Sequence, residues 1–204
     1  MKTLGERYLS YLNSGNSFGK VQVNTFLSLL GNSYNRILEV GCGKGFFSYL
    51  LLKEKKIKHK KMFGVDVFDS CQKDELETLS NKFKFKKIES GGDLPFPPNY
   101  FDLVFSMDVI EHVIDWQKFI LEQVRVAKEG GEILIGTPNR LRLSNLLLSL
   151  FGKLSYPRSM GHDEYGEVLH LQEFTRRELL DNLNFFEERV KDIKLCLVGW
   201  GAIF

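Results

Sequence analysis

The chain has 204 residues and a net charge of +2, and 43% of its residues are hydrophobic and 26% charged. These values are typical of a globular protein with one α/β domain and a full core. No apolar run reaches the length of a membrane-spanning helix, and the small net charge neither favours nor excludes a nucleic-acid partner. The N-terminus shows no signal peptide, and Cys42, Cys71 and Cys196 lack metal or disulfide spacing, which predicts a cytoplasmic protein.

Residues 1–34 are predicted to form two short amphipathic helices. Leucine and aromatic residues recur at helical spacing on both sides of a polar break from Asn13 to Phe18. Such helices either cap a ligand cleft or cover the sheet.

The most informative segment is 36–47, which reads RILEVGCGKGFF. An apolar strand over 36–40 runs into a loop with three glycines, and a helix is predicted over 44–56. A strand, a glycine turn and a helix form the architecture of a nucleotide site, because glycine lets the backbone approach a ligand and the helix start offers free N–H groups. A dinucleotide fingerprint would need a third glycine at Phe46, so that fit is poor. An ordinary βα turn is the alternative.

The segment EVGCGKG resembles the first motif of the class I S-adenosylmethionine-dependent methyltransferases. The resemblance implies that the glycine loop packs on the amino-acid end of the cofactor. It also implies that Glu39, two residues before the first glycine, holds that end by hydrogen bonds.

A second strand over 62–67 ends in GVDV, and Asp66 lies 21 residues beyond Gly45 (66 minus 45). At about this distance, doubly wound folds place an acid that accepts hydrogen bonds from the ribose hydroxyls. The sequence therefore predicts a ribose contact for Asp66, with a helix N-cap or a solvated turn as the alternative.

A helix over 71–81 and a half-exposed strand over 83–89 are predicted next. The stretch SGGDLPFPPNYFDLVFSMDVIEHV then resembles the third and fourth motifs of the same family, with a fourth strand over 103–106. Family members commonly carry an Asp four residues before Leu94, and this Asp holds the adenine amino group. Because Ser90 stands there, the adenine contact is expected from Ser90, Gly91 or the backbone.

The predicted cofactor-binding residues come from the glycine loop, the strand ends and the adenine segment. They are Glu39, Gly41, Cys42, Gly43, Gly45, Phe46, Asp66, Val67, Ser90, Gly91 and Met107.

The second half of the chain continues the alternation of strands and helices. Asp115 is predicted to cap a helix over 116–128 that a Gly-Gly pair closes, and strand five follows over 132–137. Thr175 and Glu178 form a capping box for a helix that extends to Val190.

A last strand is predicted over 193–198, and the family's seventh strand is short or missing unless residues 200–204 supply part of it. Repeated strand–helix units imply right-handed crossovers and parallel pairing. The predicted fold is therefore α/β and Rossmann-like, the class I methyltransferase fold, with a mainly parallel sheet and helices on both faces. One domain is predicted over 1–204, with an N-terminal helical cap over 1–34 and a substrate-lid insertion over 139–172.

The candidate chemical residues lie in DVIEH, just beyond strand four. If this turn is helical, Asp108 faces the same way as Glu111 and His112. Two carboxylates and an imidazole suit a divalent cation, Mg or Zn, for which His170 could be a fourth ligand. Without a metal, His112 would be a general base, and Asp108 and His112 are the predicted catalytic residues.

Two groups within the family share parts of this pattern. The ubiquinone-pathway O-methyltransferases resemble SMDVIEHV and the later TPNR. The metal-dependent small-RNA 2′-O-methyltransferases resemble the Glu-His pair and HLQEFTR. In both groups, a bound metal can orient the hydroxyls that are methylated. Lysine clusters over 53–61 and 82–87 would favour RNA only if they faced the same mouth as His112; otherwise they are solvated faces.

Residues 141–154, LRLSNLLLSLFGKL, lie where the family inserts its substrate lid. The segment predicts either a buried helix packed on the domain, which a leucine run favours, or a lid or peripheral membrane contact. The predicted function is methyl transfer from S-adenosylmethionine to an oxygen of a small-molecule or lipid-like acceptor. The alternatives are RNA 2′-O-methylation, methylation of carbon or nitrogen, and a non-catalytic S-adenosylmethionine-binding protein.

Overall fold

The structure is a computed structural model that describes residues 2–14, 18–54, 58–163, 166–183, 196–198 and 201–203. Its strands are β1 Ser33–Val40, β2 Lys58–Asp66, β3 Phe83–Lys87, β4 Phe101–Met107, β5 Ala127–Pro138, β6 Arg158–Asp163, β7 Gly166–His170, β8 Cys196–Val198 and β9 Gly201–Ile203. Its α-helices are α1 Leu4–Asn13, α2 Phe18–Leu29, α3 Phe46–Glu54, α4 Lys73–Leu79, α5 Trp116–Val126, α6 Leu143–Leu150 and α7 Arg176–Leu183.

The main sheet has the strand order β3-β2-β1-β4-β5-β9-β8. Its first five strands pair in parallel, and β9 pairs antiparallel with both β5 and β8. The predicted Rossmann-like, mainly parallel fold is confirmed. Residues 201–203 supply a strand beside β5, whereas Trp200, Phe204 and residues 193–195 lie outside the described residues.

Alternate residues of the strands pack on opposite faces of the sheet, as period-two side chains must. Ile37 of β1 belongs to a core cluster with residues of α1 to α4. Its neighbour Leu38 belongs to a second cluster with Val126 of α5. Helices therefore cover both faces, and parallel strands bring their carboxyl ends to one edge, where ligands bind in such sheets.

The two N-terminal helices are confirmed, and they pack along the sheet. Thr3 and Glu6 form a capping box at the start of α1. The N–H groups of Leu4 and Gly5 donate to the Glu75 carboxylate at 2.9 and 2.8 Å. Phe26 of α2 lies against aromatic rings of α3 and β4. Together these contacts fasten α1 and α2 to α3, α4 and β4.

The boundary between α5 and β5 differs from the prediction. Asp115 caps α5 as expected, with its Oδ1 accepting from the Lys118 N–H at 3.0 Å. The helix ends at Val126, however, and β5 begins at once with Ala127, which pairs with Phe101. Gly130 and Gly131 lie inside this strand, beside a register shift, and do not close the helix.

The β6–β7 hairpin was not predicted from the sequence. It pairs Arg158 with His170 and contains an irregular register near Gly161. Its strands, 158–163 and 166–170, lie between α6 and α7 in the chain, and His170 is the last residue of β7. Thr175 and Glu178 form the expected capping box before α7. The predicted continuation of α7 to Val190 lies outside the described residues.

Helix α6 is not the buried helix that its leucines favoured. Leu150 and Phe151 are 79% and 74% exposed, and Leu146 and Leu147 are also exposed. Among the α6 residues whose side chains are described, the buried one is polar, Asn145. The burial expectation was wrong because Asn145, with its hydrogen bonds, turns inward and leaves these leucines outside. None of the helices in the described ranges is long and apolar enough to cross a bilayer.

Candidate active site

The glycine loop follows β1 at the carboxyl edge of the sheet. The N–H groups of Gly41 and Cys42 both donate to the Val65 carbonyl, at 2.8 and 3.0 Å, which fastens the loop to β2. Gly41 has φ +72°, and a Cβ there would lie 2.4 Å from a methyl group of Val109. Only glycine fits this position, because a side chain would suffer both backbone strain and a clash.

Asp66 lies at the end of β2 and joins two loops at the cleft. Its Oδ2 accepts from the Gly43 N–H at 2.7 Å, and its Oδ1 accepts from the Phe68 N–H at 2.9 Å. Each carboxylate oxygen retains a second lone pair, so the side chain can hold the loop and still accept from ribose hydroxyls. This placement agrees with the predicted ribose role, which stays a prediction.

Glu39 is buried below the loop and faces the first turn of α3. One carboxylate oxygen accepts from the backbone N–H of Ser48 at 3.1 Å and from the Ser48 hydroxyl. Burial raises the pKa of Glu39 to about 8, against the opposing hydrogen bonds from Ser48. Glu39 therefore holds the helix start, and it does not line the cleft.

A cleft of 540 Å³ opens between the glycine loop, the ends of β2 and β4, and the β6–β7 hairpin. Of the predicted cofactor residues, those that line it are Gly41, Gly43, Asp66, Val67, Ser90 and Gly91. Glu39, Cys42, Gly45, Phe46 and Met107 are not among its lining residues. The cleft also has walls that the sequence did not indicate, because Val168 and Leu169 come from the unpredicted hairpin.

The predicted residues away from the cleft support it from behind. A Cβ at Gly45, which has φ +88°, would lie 2.6 Å from Leu76. Cys42 and Cys71 are 29 residues apart in sequence (71 minus 42), yet a hydrogen bond between their thiols, with burial, raises the pKa of Cys42. Met107 is buried in the core cluster on the α1–α4 face. These residues shape the loop without facing the ligand space.

A second cavity, here called the acceptor cavity, has a volume of 510 Å³ and shares Asp108 and His112 with the first. Its lining residues are Gln22, Asp108, Glu111, His112, Pro138, Arg142, Ser144, Arg158, Met160 and His170. Residues from α2, β5, α6 and the hairpin thus meet at one place. None of the described lysines lines this cavity. The lysine clusters over 53–61 and 82–87 therefore give the RNA alternative no support here.

Glu111, His112 and His170 form the chemical cluster of the acceptor cavity, with one ligand atom of each lying within 4.8 Å of the others. The His112 Nδ1 lies 2.7 Å from the Leu169 carbonyl oxygen, so this nitrogen carries the hydrogen and Nε2 has a free lone pair. The His170 Nδ1 lies 2.6 Å from Glu173, which likewise leaves Nε2 free. Three of the four predicted metal ligands are therefore brought together.

Asp108 does not belong to this three-residue group. The turn is not an α-helix, because Asp108 has φ +55° and a short 3₁₀ helix spans Ile110–His112. The expected spacing on one helical face is therefore wrong. Asp108 instead accepts from the side chain of Gln22 at 3.1 Å, while still lining both cavities.

Burial dominates the electrostatics of this cluster. It raises the pKa of Glu111 to about 8, with help from the nearby charge of Asp108, and it raises the pKa of Asp108. Burial also lowers the pKa of His112, which keeps the imidazole neutral near pH 7. Glu111 Oε2 accepts from the Thr137 hydroxyl at 3.1 Å, whereas its buried Oε1 has no hydrogen-bond partner among the described residues.

Glu173 is the important residue of the site that the sequence did not single out. It is buried and accepts from Arg142, Asn145 and His170, each at 2.6 Å. Its only sequence signal is its position three residues after His170. The i, i+3 spacing suggests a pair, but it does not reveal that the other two partners are Asn145 of α6 and Arg142, the residue that precedes this helix.

Comparisons with known proteins agree with this geometry. A family model described as "Methyltransferase domain" matches residues 38–135. A "Probable S-adenosylmethionine-dependent methyltransferase" of Mycolicibacterium smegmatis is 30% identical over 53% of this chain and 40% of its own length. A "Ubiquinone biosynthesis O-methyltransferase" of Rickettsia bellii is 27% identical over 90% of this chain and 80% of its own. This chain spans well under half the length of several curated relatives.

The fold is also found in a solved methyltransferase of Aquifex aeolicus. That structure has a TM-score of 0.61 and 17% identity, and the match covers 92% of this chain and 96% of the other. The glycine loop, the parallel sheet and these relatives agree on one class of protein. Residues 38–135 form a methyltransferase domain, and the findings support the class I S-adenosylmethionine-dependent methyltransferase family for this chain.

Proposed function

We propose that this chain transfers the methyl group of S-adenosylmethionine to a hydroxyl oxygen of a small-molecule or lipid-like acceptor. The observation that carries the proposal is the position of His112. Its side chain lines both the cofactor cleft and the acceptor cavity, and its Nε2 is free. A group at that junction can reach an acceptor oxygen next to the methyl donor. The name of the R. bellii relative supports oxygen as the methylated atom.

In the cofactor cleft, the chain's task is to bind and align. The sulfonium of S-adenosylmethionine is already a reactive electrophile, so most of the rate gain must come from positioning. Asp66 would accept from the ribose, the glycine loop would pack on the amino-acid end, and Ser90 and Gly91 would border the adenine. Glu39 would act from behind by fixing the start of α3.

At the acceptor, a hydroxyl must lose its proton as it attacks the methyl group. His112 suits this role, because its burial-lowered pKa keeps Nε2 unprotonated at neutral pH. The Leu169 carbonyl accepts from Nδ1 and would stabilise the charge that the ring gains. Without a bound cation, His112 would therefore be the general base.

We also propose that Glu111, His112 and His170 can hold a divalent cation. The fit rests on two free Nε2 atoms and on the buried Glu111 Oε1, which lacks a hydrogen-bond partner among the described residues. Two imidazoles with one carboxylate suit Zn or a similar transition metal better than Mg, which prefers oxygen ligands. A cation bound there would lower the pKa of the acceptor hydroxyl. His112 would then be a ligand and could not also be the base.

The segment 139–172 is proposed to cover the acceptor. It contributes Arg142, Ser144, Arg158, Met160 and His170 to the acceptor cavity, and exposed leucines lie on α6, the helix that carries Ser144. An apolar part of an acceptor could lie against these leucines, which supports a lipid-like molecule. RNA 2′-O-methylation remains the second candidate, because the Glu-His pair and His170 also resemble that group.

The test uses tritiated S-adenosylmethionine, purified protein and cell extract, with and without a chelator. Products are divided into organic-soluble, RNA and protein fractions. Label in an organic extract, or in a water-soluble small-molecule product separated from S-adenosylmethionine, is the expected result, and ribonuclease-sensitive label would instead favour the RNA candidate. Loss of label on chelation, with recovery on adding Zn, supports the cation site; indifference to chelator leaves His112 as the base. Label confined to protein would contradict the proposal.

A further inference from the structure

Two arginine side chains in the wall of the acceptor cavity share one amide oxygen. Arg158 donates to Asn145 Oδ1 at 2.7 Å, and Arg142 donates to the same oxygen at 3.3 Å. Asn145 is fully buried, and its amide nitrogen donates to Glu173 at 2.6 Å. The neutral amide therefore fixes two guanidinium groups side by side, against their mutual repulsion.

The two positive charges are not equally neutralised. Arg142 forms an ion pair with Glu173 at 2.6 Å, and this carboxylate is fully buried. For Arg158, the part of the chain whose side chains are described offers no carboxylate within 4 Å; its recorded partner is the Asn145 amide. Arg158 is only partly buried and lines the cavity, so it retains donors that a ligand can use. Among the described side chains, the two arginines of this wall thus carry one positive charge more than the carboxylate that pairs with them.

We propose that the acceptor carries an anionic group, a carboxylate or a phosphate, which Arg158 binds, with the Ser144 hydroxyl as a neutral donor on the same wall. The proposal rests on the proposed function, since it names a class of acceptor for that site. Guanidinium binds both anions through paired, charge-assisted hydrogen bonds. The carboxylate of Asp108 lines the same cavity and would repel an anion from the His112 end. The charge pattern therefore orients the acceptor, with its anion at Arg158 and its hydroxyl at His112.

The acceptor is also small by this geometry. Glu173 Oε1 accepts from both the His170 Nδ1 and the Arg142 Nη2 at 2.6 Å, so these nitrogens are no more than twice 2.6 Å apart. Arg158 adjoins Arg142 through the shared Asn145 oxygen. The anion site thus lies only a few side chains from the chemical cluster, which suits a hydroxy acid or a phosphorylated alcohol.

The test measures binding rather than turnover, so its result does not depend on methyl transfer. Benzoate, phenyl phosphate and the neutral, similarly shaped benzamide are titrated calorimetrically into the protein saturated with S-adenosylhomocysteine. At least one anion is expected to bind about tenfold or more tightly than benzamide, and the tighter of the two distinguishes carboxylate from phosphate. Arg158→Gln should abolish this preference, whereas Arg158→Lys should retain part of it.

Arg177→Gln is the matched control, because it removes the same charge from an exposed arginine of α7 that is not in the lining. It should keep the wild-type preference. Equal affinities for the anions and benzamide, absence of anion binding in the millimolar range, or a preference that survives in Arg158→Gln would each overturn the proposal. Affinity for S-adenosylhomocysteine reports that each variant is folded. Anion binding without methyl transfer would contradict the proposed function alone.

Discussion

Replacing Asp66 with Ala should weaken the binding of S-adenosylhomocysteine by about tenfold to a hundredfold. Hydrogen bonds to a charged group contribute about 1.5 to 3 kcal/mol each, and a vicinal diol can donate two of them. Losing the value of one such bond corresponds to about this range of affinity. The measurement is isothermal titration calorimetry, with Asp69→Ala as control, since Asp69 is an exposed carboxylate that pairs with Lys73.

Asp66 also accepts from the Gly43 N–H, so the loss could come from a loosened loop alone. Asp66→Asn separates the two causes. It keeps an oxygen that can accept from Gly43 but removes the charge that strengthens the ribose bonds. We expect Asp66→Asn to bind less tightly than wild type and more tightly than Asp66→Ala. Wild-type affinity in Asp66→Asn would mean that Asp66 only holds the glycine loop in place. Wild-type affinity in Asp66→Ala would refute the ribose role.

Three further predictions concern the base, the buried acid and the exposed helix. His112→Ala should abolish turnover and leave S-adenosylhomocysteine affinity within about threefold; loss of cofactor binding would make His112 structural. Glu39 has a pKa of about 8 when folded against an ordinary 4.5, so the folded state binds more protons and stability falls as pH rises between these values. The fall by pH 7 is about 3 kcal/mol, and Glu39→Gln should remove it from urea-unfolding data; an unchanged pH slope would contradict the burial effect. Wild type and the α1 control Leu9→Glu should sediment with phosphatidylglycerol vesicles, whereas the double variant Leu150→Glu/Phe151→Glu should not. Equal sedimentation of all three proteins would exclude membrane contact through α6.

The parts of the fold that the sequence predicted are those with local causes. The glycine loop needs Gly41 because of its φ and its contact with Val109, and Asp66 follows a run of strand residues. The boundary at Ala127 was missed because it depends on pairing with Phe101, which is 26 residues earlier (127 minus 101). The same limit applies to the burial of α6, because periodicity does not reveal which face finds a neighbour.

In the site, too, the features with local causes were predicted and those that depend on distant parts of the chain were not. Glu111 and His112 are adjacent in sequence, and His170 was identified through a motif. The convergence of their ligand atoms within 4.8 Å required the hairpin, whose irregular register has no clear alternation of apolar residues. Asp108 was expected to share a face with Glu111 and His112 only if the turn were helical, and the backbone takes a positive φ there instead. Spacing arguments of this kind depend on a backbone conformation that the side chains alone do not determine.

Glu173 links the stability of this region to its chemistry, and one pair of variants separates the two. Burial alone would raise the pKa of Glu173, but the hydrogen bond from His170 and the charge of Arg142 outweigh it. The pKa is therefore lowered overall, and the group is a carboxylate at neutral pH. Glu173→Gln leaves the guanidinium of Arg142 without a countercharge, and stability should fall by about 3 kcal/mol. Adding Arg142→Gln should restore most of that loss, because no unpaired charge then remains.

Turnover should not return in that double variant. The carboxylate fixes the His170 tautomer that leaves Nε2 free, and a neutral amide holds it less firmly. Urea unfolding and kcat, measured on the single and double variants, therefore report two different roles of one side chain. If the double variant regained wild-type kcat along with its stability, Glu173 would only neutralise Arg142, and His170 would need no carboxylate to act.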